Sequence, residues 1–278
     1  MKVMLVLGFI CWSLCTWSQE ENFPVTLNDS LEEISGLELL GDSLFIAHND
    51  GGDDPCLFLL EMDGSILRTV CIKETTNIDW EDLAIDDYYL YVADVGNNKN
   101  QRHSVRILKI RLDDLVKKDA VSAETIKIKY AEQYEFPPAL SEMRFDSEAI
   151  TVVGDSIYLF TKNRSVPTDG TTWVYSIPKD AGEYRLTHNY SIYIGKGGFW
   201  KDAITAVDYY KQEFYIMTYN RILVKKFKDG EFKGDKEIKF RKMKQREATV
   251  LKKKGEIYVG SEGQLMMGKQ ELDKIGNE

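Results

Sequence analysis

The sequence lacks the short motifs that identify several classes of enzyme. It contains no G-x-S-x-G nucleophile elbow, no H-E-x-x-H zinc motif and no P-loop. It has three histidines, and none of them completes a Cys-His nucleophile pattern. Any catalytic or binding chemistry must therefore come from residues that lie far apart along the chain.

Long apolar runs are also absent after residue 17, so no later segment is predicted to span a bilayer. The one early run, Val3 to Trp17, follows Lys2 and precedes Ser-Gln-Glu, which is typical of a secretory signal peptide. We predict a signal peptide at residues 1–18 and a single domain at residues 19–278. We expect the mature protein to be a monomer that is secreted or periplasmic, without an integral membrane segment.

Positive charge is in short supply. The formal net charge is −9, and an acidic chain without a dominant basic cluster argues against nucleic acid as a partner. Apolar residues make up 43% of the chain, enough to fill a sizeable core. The acidic surplus is compatible with a cation site.

Cysteine is scarce, and two of the four cysteines fall inside the predicted signal peptide. Cys56 and Cys71 flank two short strands joined at Asp63-Gly64, and a tight turn there places the two cysteines opposite each other. The sequence predicts a disulfide in an oxidising compartment, with two buried thiols as the alternative.

Five segments share one design, an apolar strand, a short turn and a second strand. In the first four copies the second strand begins nine residues after the first. The third copy turns at Gly154-Asp155, which is typical of a hairpin because glycine accepts a positive φ. That turn places Glu148 opposite Thr161, so strand starts and strand exits meet at one end. The segments begin at Ser35, Glu81, Glu148, Thr205 and Glu247.

Each interval between these segments has room for two further strands, which predicts four-stranded antiparallel blades. Only one strand follows the fifth segment, and the mature N-terminus opens with the strand-like sequence FPVTL. We predict an all-β, five-bladed β-propeller closed by its N-terminal strand. A six-bladed propeller is the alternative. Residues 113–124 are expected to be a loop with a single helical turn.

The residue that opens each innermost strand is expected at one mouth of the central channel. Carboxylates crowded there repel each other unless a cation or protons intervene. Oxygen ligands suit a hard cation, and a wide cage favours Ca²⁺ over Mg²⁺. Alternatively, the glutamates bond to backbone amides or water. Strand alternation predicts that Asp82 points away from the channel. The predicted Ca²⁺ ligands are Ser35, Glu81, Glu148, Thr205 and Glu247.

The exits of the second strands are expected at the same mouth. Their mixture of asparagine with charged side chains is able to hold an anion that is bridged to a metal. The alternative is that asparagine serves the turns and that lysine or arginine only solvates the rim. The candidate ligand-binding residues are His48, Asn49, Asp50, Asp94, Asn97, Arg102, Lys162, Arg164, Asn220 and Arg221.

The segments NIDWEDLAIDDYYLYVADVGNN and FDSEAITVVGDSIYLFTKNR resemble an uncharacterised group of secreted bacterial propellers. More distantly, the five predicted metal ligands are similar to the axial residues of the five-bladed calcium-dependent nucleotidases, the apyrases. That resemblance implies a central Ca²⁺ that binds the phosphates of nucleoside diphosphates. Thr205 stands where that family has serine.

Three functional hypotheses follow. The first is a propeller with a Ca²⁺ site that binds a small anionic molecule, or a peptide, glycan or protein partner, at the channel mouth. The second is a metal-dependent hydrolase of phosphoanhydrides, in which Lys162, Arg164 or Arg221 offsets charge and an axial glutamate activates water. A lactonase-like or strictosidine-synthase-like propeller is the third, and it requires six blades. The lack of a nucleophile with an orienting partner favours the binding hypothesis and leaves catalysis open.

Overall fold

Short β-strands form nearly all of the regular structure. The computed structural model describes residues 25–240, 244–252, 255–261 and 264–269. The signal peptide predicted at residues 1–18 lies outside the described residues. Within the part that is described, no helix is long and apolar enough to cross a membrane.

The strands fall into five small sheets arranged around an axis, and each sheet is one blade of a five-bladed β-propeller. The first strand is β1 (Val25–Thr26), which belongs to the last blade. Blade one comprises β2 (Ile34–Leu40), β3 (Leu44–Asn49), β4 (Cys56–Glu61) and β5 (Ile66–Ile72), with β9 (Ala120–Val121) at its edge. Blade two comprises β6 (Trp80–Ile85), β7 (Tyr89–Asp94), β8 (Val105–Arg111) and β10 (Glu124–Tyr130), with β14 (Gly182–Leu186) at its edge.

The other three blades have no such added strand among the described residues. Blade three comprises β11 (Asp146–Val153), β12 (Ser156–Lys162), β13 (Thr171–Pro178) and β15 (Tyr190–Tyr193). Blade four comprises β16 (Ile204–Tyr210), β17 (Glu213–Thr218), β18 (Arg221–Lys228) and β19 (Glu231–Lys239). Blade five comprises β20 (Arg246–Leu251), β21 (Glu256–Ser261) and β22 (Gln264–Lys269), together with β1.

The ring closes as the sequence predicts. β1 pairs antiparallel with β22, so the N-terminal strand completes the fifth blade. The innermost strands of consecutive blades, β2, β6, β11, β16 and β20, contact each other around the axis. Five apolar clusters fill the five interfaces between neighbouring blades. Each leucine or isoleucine buried there contributes about 1.5–3 kcal/mol, so every blade depends on both of its neighbours.

Every innermost strand contains a β-bulge at the same position. The pairing of the two inner strands skips one residue in each blade, and the skipped residue is the one that opens the sequence repeat. Glu148, expected opposite Thr161, is therefore the extra residue, and Thr161 pairs with Ser147. A bulge turns its side chain out of the regular alternation. The extra residues are Ser35, Glu81, Glu148, Thr205 and Glu247.

Two sheets have one strand more than predicted. β9 pairs parallel with β5 at the outer edge of blade one, and β14 pairs parallel with β10 at the outer edge of blade two. In both cases the added strand comes from the chain of the following blade. The helix α1 (Leu112–Lys117) leads into β9, where the sequence suggested only a loop with a helical turn. A second short helix, α2 (Phe199–Asp202), precedes blade four.

The turn at Gly154 and the pairing of Cys56 with Cys71 agree with the predictions made from the sequence. Gly154 has a φ of 60° in the hairpin between β11 and β12, a conformation that glycine adopts without steric cost. Cys56 and Cys71 lie opposite each other on β4 and β5 and form a disulfide. The bridge joins the two outer antiparallel strands of blade one.

Candidate metal and ligand site

The five bulged residues differ in what their side chains do. The hydroxyl of Ser35 donates a hydrogen bond of 2.9 Å to the backbone carbonyl of Glu81 in the next blade. Glu81 and Glu148 are buried, and Glu247 is half-buried. The buried hydroxyl of Thr205 has no hydrogen-bond partner among the described residues. The repeat therefore places five oxygen-bearing residues equivalently, while their local environments diverge.

Carboxylates from blades one to three converge at the mouth. Two groups of three have ligand atoms that all lie within 4.8 Å of one another. The first group is Asp50, Asp79 and Glu81, which we call the first triad. The second group is Glu81, Asp146 and Glu148, which we call the second triad. Because Glu81 belongs to both triads, the carboxylates form one continuous cluster.

Basic side chains already compensate the second triad. Lys162 Nζ lies 2.8 Å from Glu148 Oε2, and both side chains are buried. The Arg164 guanidinium forms an ion pair with Asp146 and lies 3.3 Å from Glu148 Oε1. Lys162 also donates a 3.1 Å hydrogen bond to the Tyr219 hydroxyl. A buried ammonium without a counterion is strongly unfavourable, so Glu148 is needed to hold Lys162 in place.

The first triad has no direct ion pair. Among the described residues, no lysine or arginine forms an ion pair with Asp50, Asp79 or Glu81, although the charges of Lys162 and Arg102 act on the two aspartates at longer range. Two glycines let the backbone approach these carboxylates: a Cβ on Gly96 would overlap Glu81 and Asp79, and a Cβ on Gly51 would lie 2.7 Å from Asp79 Oδ1. Three carboxylates in a close cradle, without a direct ion pair, suit a hard divalent cation.

The pKa values of the carboxyl groups at the mouth are raised by their burial and by their closeness to one another. Burial, followed by the charges of Glu148 and Asp146, raises the pKa of Glu81 well above its ordinary value. Burial and then Asp50 raise the pKa of Asp79 to about 6. For Asp146, burial and Glu148 raise the pKa to about 7, although Arg164 opposes the change. A bound cation would displace these protons, because it favours the ionised carboxylates.

A buried carboxylate closes the channel below the mouth. Asp82 accepts hydrogen bonds from the backbone N–H of Leu83 (2.8 Å) and from that of Ile150 in blade three (2.9 Å). The backbone of Val207 in blade four also favours its charged form. The prediction that Asp82 points away from the axis fails because the bulge at Glu81 resets the strand alternation. Asp82 thus links three blades beneath the site.

The predicted ligand-binding residues divide into two groups. Asp50, Lys162 and Arg164 belong to the acidic cluster or contact it directly. The others are engaged within the fold. His48 is fully buried, Asn49 bonds to Asp53, Asp94 pairs with Arg102 at 2.8 Å, Asn97 bonds to Phe145, Asn220 accepts from Thr218, and Arg221 pairs with Asp202 at 2.6 Å.

Aromatic rings line one side of the mouth. Lys162 Nζ lies 5.1 Å from the centroid of the Phe199 ring, and the Arg164 guanidinium lies 5.3 Å from it. Phe199 also contacts Trp200 and Tyr219. A cavity of about 430 Å³ opens beside Arg164 and Phe199.

Asp79 and Asp146 were missed as site residues at the sequence level. Each lies two residues before a bulged glutamate, in the segments DWE at 79–81 and DSE at 146–148. This repeated D-x-E pattern at the start of an innermost strand was the available signal. Residues two apart in a strand face the same side, so this spacing already groups Asp79 with Glu81 and Asp146 with Glu148.

A scan against protein-family models found no match, and a search of curated proteins found none either. Several solved structures are similar in fold. Glutaminyl cyclase of Myxococcus xanthus has a TM-score of 0.54 at 10% identity, over 89% of this chain and 94% of that chain. Two glucose dehydrogenase structures, each 8% identical, have TM-scores of 0.52 and 0.50 and cover 88% and 89% of this chain, and 98% and 99% of their own. At these identities the similarity extends to the propeller fold and no further.

Proposed function

We propose that the channel mouth binds a divalent cation, Ca²⁺, and through it a small anionic molecule. The observation that carries the proposal is the first triad of Asp50, Asp79 and Glu81, which lies at the mouth without a direct ion pair to lysine or arginine among the described residues. All three residues offer oxygen atoms, the ligands that Ca²⁺ prefers. Only Glu81 is shared with the ligand set expected from the repeat, and that full set of Ser35, Glu81, Glu148, Thr205 and Glu247 is the alternative position of the cation.

The chemistry of the anion follows from the same arrangement. The first triad carries three negative charges when ionised, so an anion needs the cation to approach it. When bound, Ca²⁺ would supply open coordination positions for carboxylate or phosphate oxygens. Lys162 and Arg164 lie beside the second triad and hold Glu148 and Asp146 in fixed positions. These ion pairs thereby hold the Glu148 and Asp146 carboxylates close to Glu81 when no cation is bound.

Calorimetric titration of the purified protein with Ca²⁺ tests the proposal. We expect Ca²⁺ to bind, and Asp79→Asn to weaken the affinity by about tenfold or more because one charged ligand is lost. The matched control is Glu247→Gln, which removes a carboxylate at an equivalent bulge outside both triads. We expect it to change the affinity by less than about twofold, since this carboxylate lies outside the first triad.

Two results would contradict the proposal. Absence of Ca²⁺ binding by the wild-type protein removes the site altogether. A larger loss in Glu247→Gln than in Asp79→Asn moves the cation to the axial set that the repeat predicts.

A hydrolase is the second candidate. Burial raises the pKa of Glu247 to about 7, with Lys162 acting in the opposite direction, so this carboxyl is able to exchange protons near neutral pH. The resemblance to apyrases suggests a phosphoanhydride as substrate. Release of phosphate from ADP in the presence of Ca²⁺, lost in Glu247→Gln, would establish this activity. No release by the wild-type protein would exclude it for this substrate.

We further propose that residues 19–278 act as one propeller domain, a monomer outside the cytoplasm. The disulfide between Cys56 and Cys71 supports this location, because such bridges persist in oxidising compartments. Free-thiol titration of the protein recovered from its natural compartment tests it, and two reactive thiols would contradict it.

A further inference from the structure

We propose that the cavity beside the mouth binds a saccharide ring, and that this ring belongs to the anionic ligand held by the cation. The inference deepens the proposed function by naming a class of ligand, an acidic saccharide. It rests on the proposed function for the position of the anionic group. The cavity itself is independent of any cation.

The cavity lies between two loops at the junction of blades three and four. Residues 163–172, which follow β12, form one wall, and residues 195–203, which precede β16, form the other. Its volume of about 430 Å³ falls within the range of small-molecule sites. It is large enough for a ring with several substituents.

Small residues make up most of the walls. The lining consists mostly of glycine, serine, threonine and asparagine, whose hydroxyl and peptide groups lie within a larger apolar surface, and Phe199 is the one aromatic ring among the described residues that line it. Phe199 is 40% exposed and offers a face for stacking. Peptide and hydroxyl groups around a single ring face match a ligand with many hydroxyls and one apolar face.

The charged residues of the lining are already neutralised. Arg164 pairs with Asp146, and Asp202 pairs with Arg221 at 2.6 Å. Asp202 also accepts a hydrogen bond from the backbone N–H of Gly197. A charged group entering the cavity would be desolvated without a new counterion, which is costly. The occupant of the cavity is therefore uncharged and polar.

Arg164 connects the cavity to the acidic cluster. Its guanidinium contacts the Phe199 ring on the cavity side and lies 3.3 Å from Glu148 Oε1 on the other. Glu148 shares the second triad with Glu81, and Glu81 is also part of the first triad. The cavity therefore borders the acidic cluster at Arg164, and in our proposal the acidic group of the ligand lies on the cluster side of this residue.

Ligand-observed NMR and calorimetry with four probes test this inference, each with Ca²⁺ and again with EDTA. The probes are glucuronic acid, glucose 6-phosphate, methyl β-glucoside and ADP. We expect both acidic sugars to bind in Ca²⁺ and to bind at least about tenfold more tightly than the neutral glucoside, which lacks the metal-binding group. Comparison of the two acidic sugars distinguishes carboxylate from phosphate.

Phe199→Ala is the decisive variant. We expect it to weaken binding of the acidic sugars by about tenfold through loss of the stacking face, and to leave Ca²⁺ affinity within about twofold. The matched control is Tyr88→Ala. Tyr88 is an exposed aromatic residue between β6 and β7 in blade two, and it lies outside the cavity lining. We expect the control to leave sugar binding within about twofold, because it lies in another blade.

The outcomes separate this inference from the proposed function. Ca²⁺ binding without any sugar binding overturns the saccharide inference and leaves the cation site standing. Sugar binding that is unaffected by Phe199→Ala also overturns it. Tight ADP binding that requires Phe199, with no sugar binding, assigns the cavity to a nucleoside and overturns it as well. Sugar binding that is equal in Ca²⁺ and EDTA overturns the link between the ring and the cation, while the Ca²⁺ titration alone decides whether the cation site exists.

Discussion

The first three blades and the last two carry the same bulge and place different chemistry on it. In blades two and three, the bulged Glu81 and Glu148 follow Asp79 and Asp146 by two residues. In blade four the bulged residue is Thr205, and no carboxylate precedes it at that spacing. The backbone repeat therefore supplies equivalent positions, and the side chain at each position decides which of them could hold an ion. A bulge by itself does not make a ligand.

The largest expected effect is a difference in the free energy of unfolding between variants of two equivalent glutamates, one in each region. Glu148→Ala leaves the buried Lys162 without its closest counterion, so we expect it to lower the free energy of unfolding by about 3–5 kcal/mol. Glu247→Ala should cost less than about 1 kcal/mol, because that carboxyl is only half-buried. Chemical denaturation of both variants measures the difference. Equal losses would show that the two regions depend on their bulged residues alike.

The next effect concerns the covalent bridge of blade one. Replacing both Cys56 and Cys71 by serine opens a bridge that spans 15 residues, and we expect a loss of about 2–4 kcal/mol. Reduction of the wild-type protein should give the same loss, which controls for the packing of the serines. Denaturation midpoints measure both. A midpoint that does not move under reduction would mean that blade one is held by its neighbours alone.

A smaller effect is the dependence of stability on pH in the absence of divalent cations. Burial raises the pKa of Asp208 in blade four to about 7, although it accepts hydrogen bonds from the backbone N–H of Tyr209 and of Leu251 in blade five. The folded state therefore binds protons more tightly than the unfolded state, in which a carboxyl titrates near about 4.

The contribution of Asp208 to stability should thus be fully present below about pH 4, and it should fall by roughly 2 kcal/mol between pH 5 and pH 7. Thermal unfolding at a series of pH values in EDTA measures this change. Asp208→Asn should make the profile less steep without flattening it, because Asp146 and Glu247 also have raised pKa values. Addition of Ca²⁺ should leave the difference between wild type and Asp208→Asn unchanged, because Asp208 lies outside both triads. A flat wild-type profile would contradict the expectation.

The smallest expected effect separates the two ligand sets. Thr205→Val removes a buried hydroxyl that has no hydrogen-bond partner among the described residues, so stability should change by less than about 1 kcal/mol. We expect Ca²⁺ affinity to be unchanged as well. Thr205→Ser serves as the control, since it keeps the hydroxyl and removes only a methyl group. If valine weakens Ca²⁺ binding and serine does not, Thr205 is a ligand and the axial prediction is correct.

The architecture was predictable because it depends on local patterns that repeat. Glycine at the Gly154 turn, the matched spacing of five hairpins and the isolated strands at the two ends together specify five blades and the way the ring closes. The opposition of Cys56 and Cys71 follows from one hairpin register. None of these features requires knowledge of contacts between distant segments.

The site was less predictable because it depends on contacts between blades. A β-bulge is set by the neighbouring strand and has no sequence signature of its own, so the orientation of Asp82 was predicted wrongly. The pairing of Arg164 with Asp146 joins residues 18 apart across two strands, and the approach of Gly96 to Asp79 depends on a loop conformation. The added strands β9 and β14 pair with sheets that precede them in the chain, which composition does not reveal.

Those two added strands affect how the molecule comes apart. β9 and β14 each cross from one blade to the outer edge of the blade before it. Separating blade one from blade two therefore breaks the β5–β9 hydrogen bonds, and separating blade two from blade three breaks the β10–β14 hydrogen bonds. No such crossing joins the described parts of blades three and four. Mechanical pulling from the two ends should accordingly open the ring in its second half first, while the disulfide-bearing half that holds both carboxylate triads unravels last and as one unit.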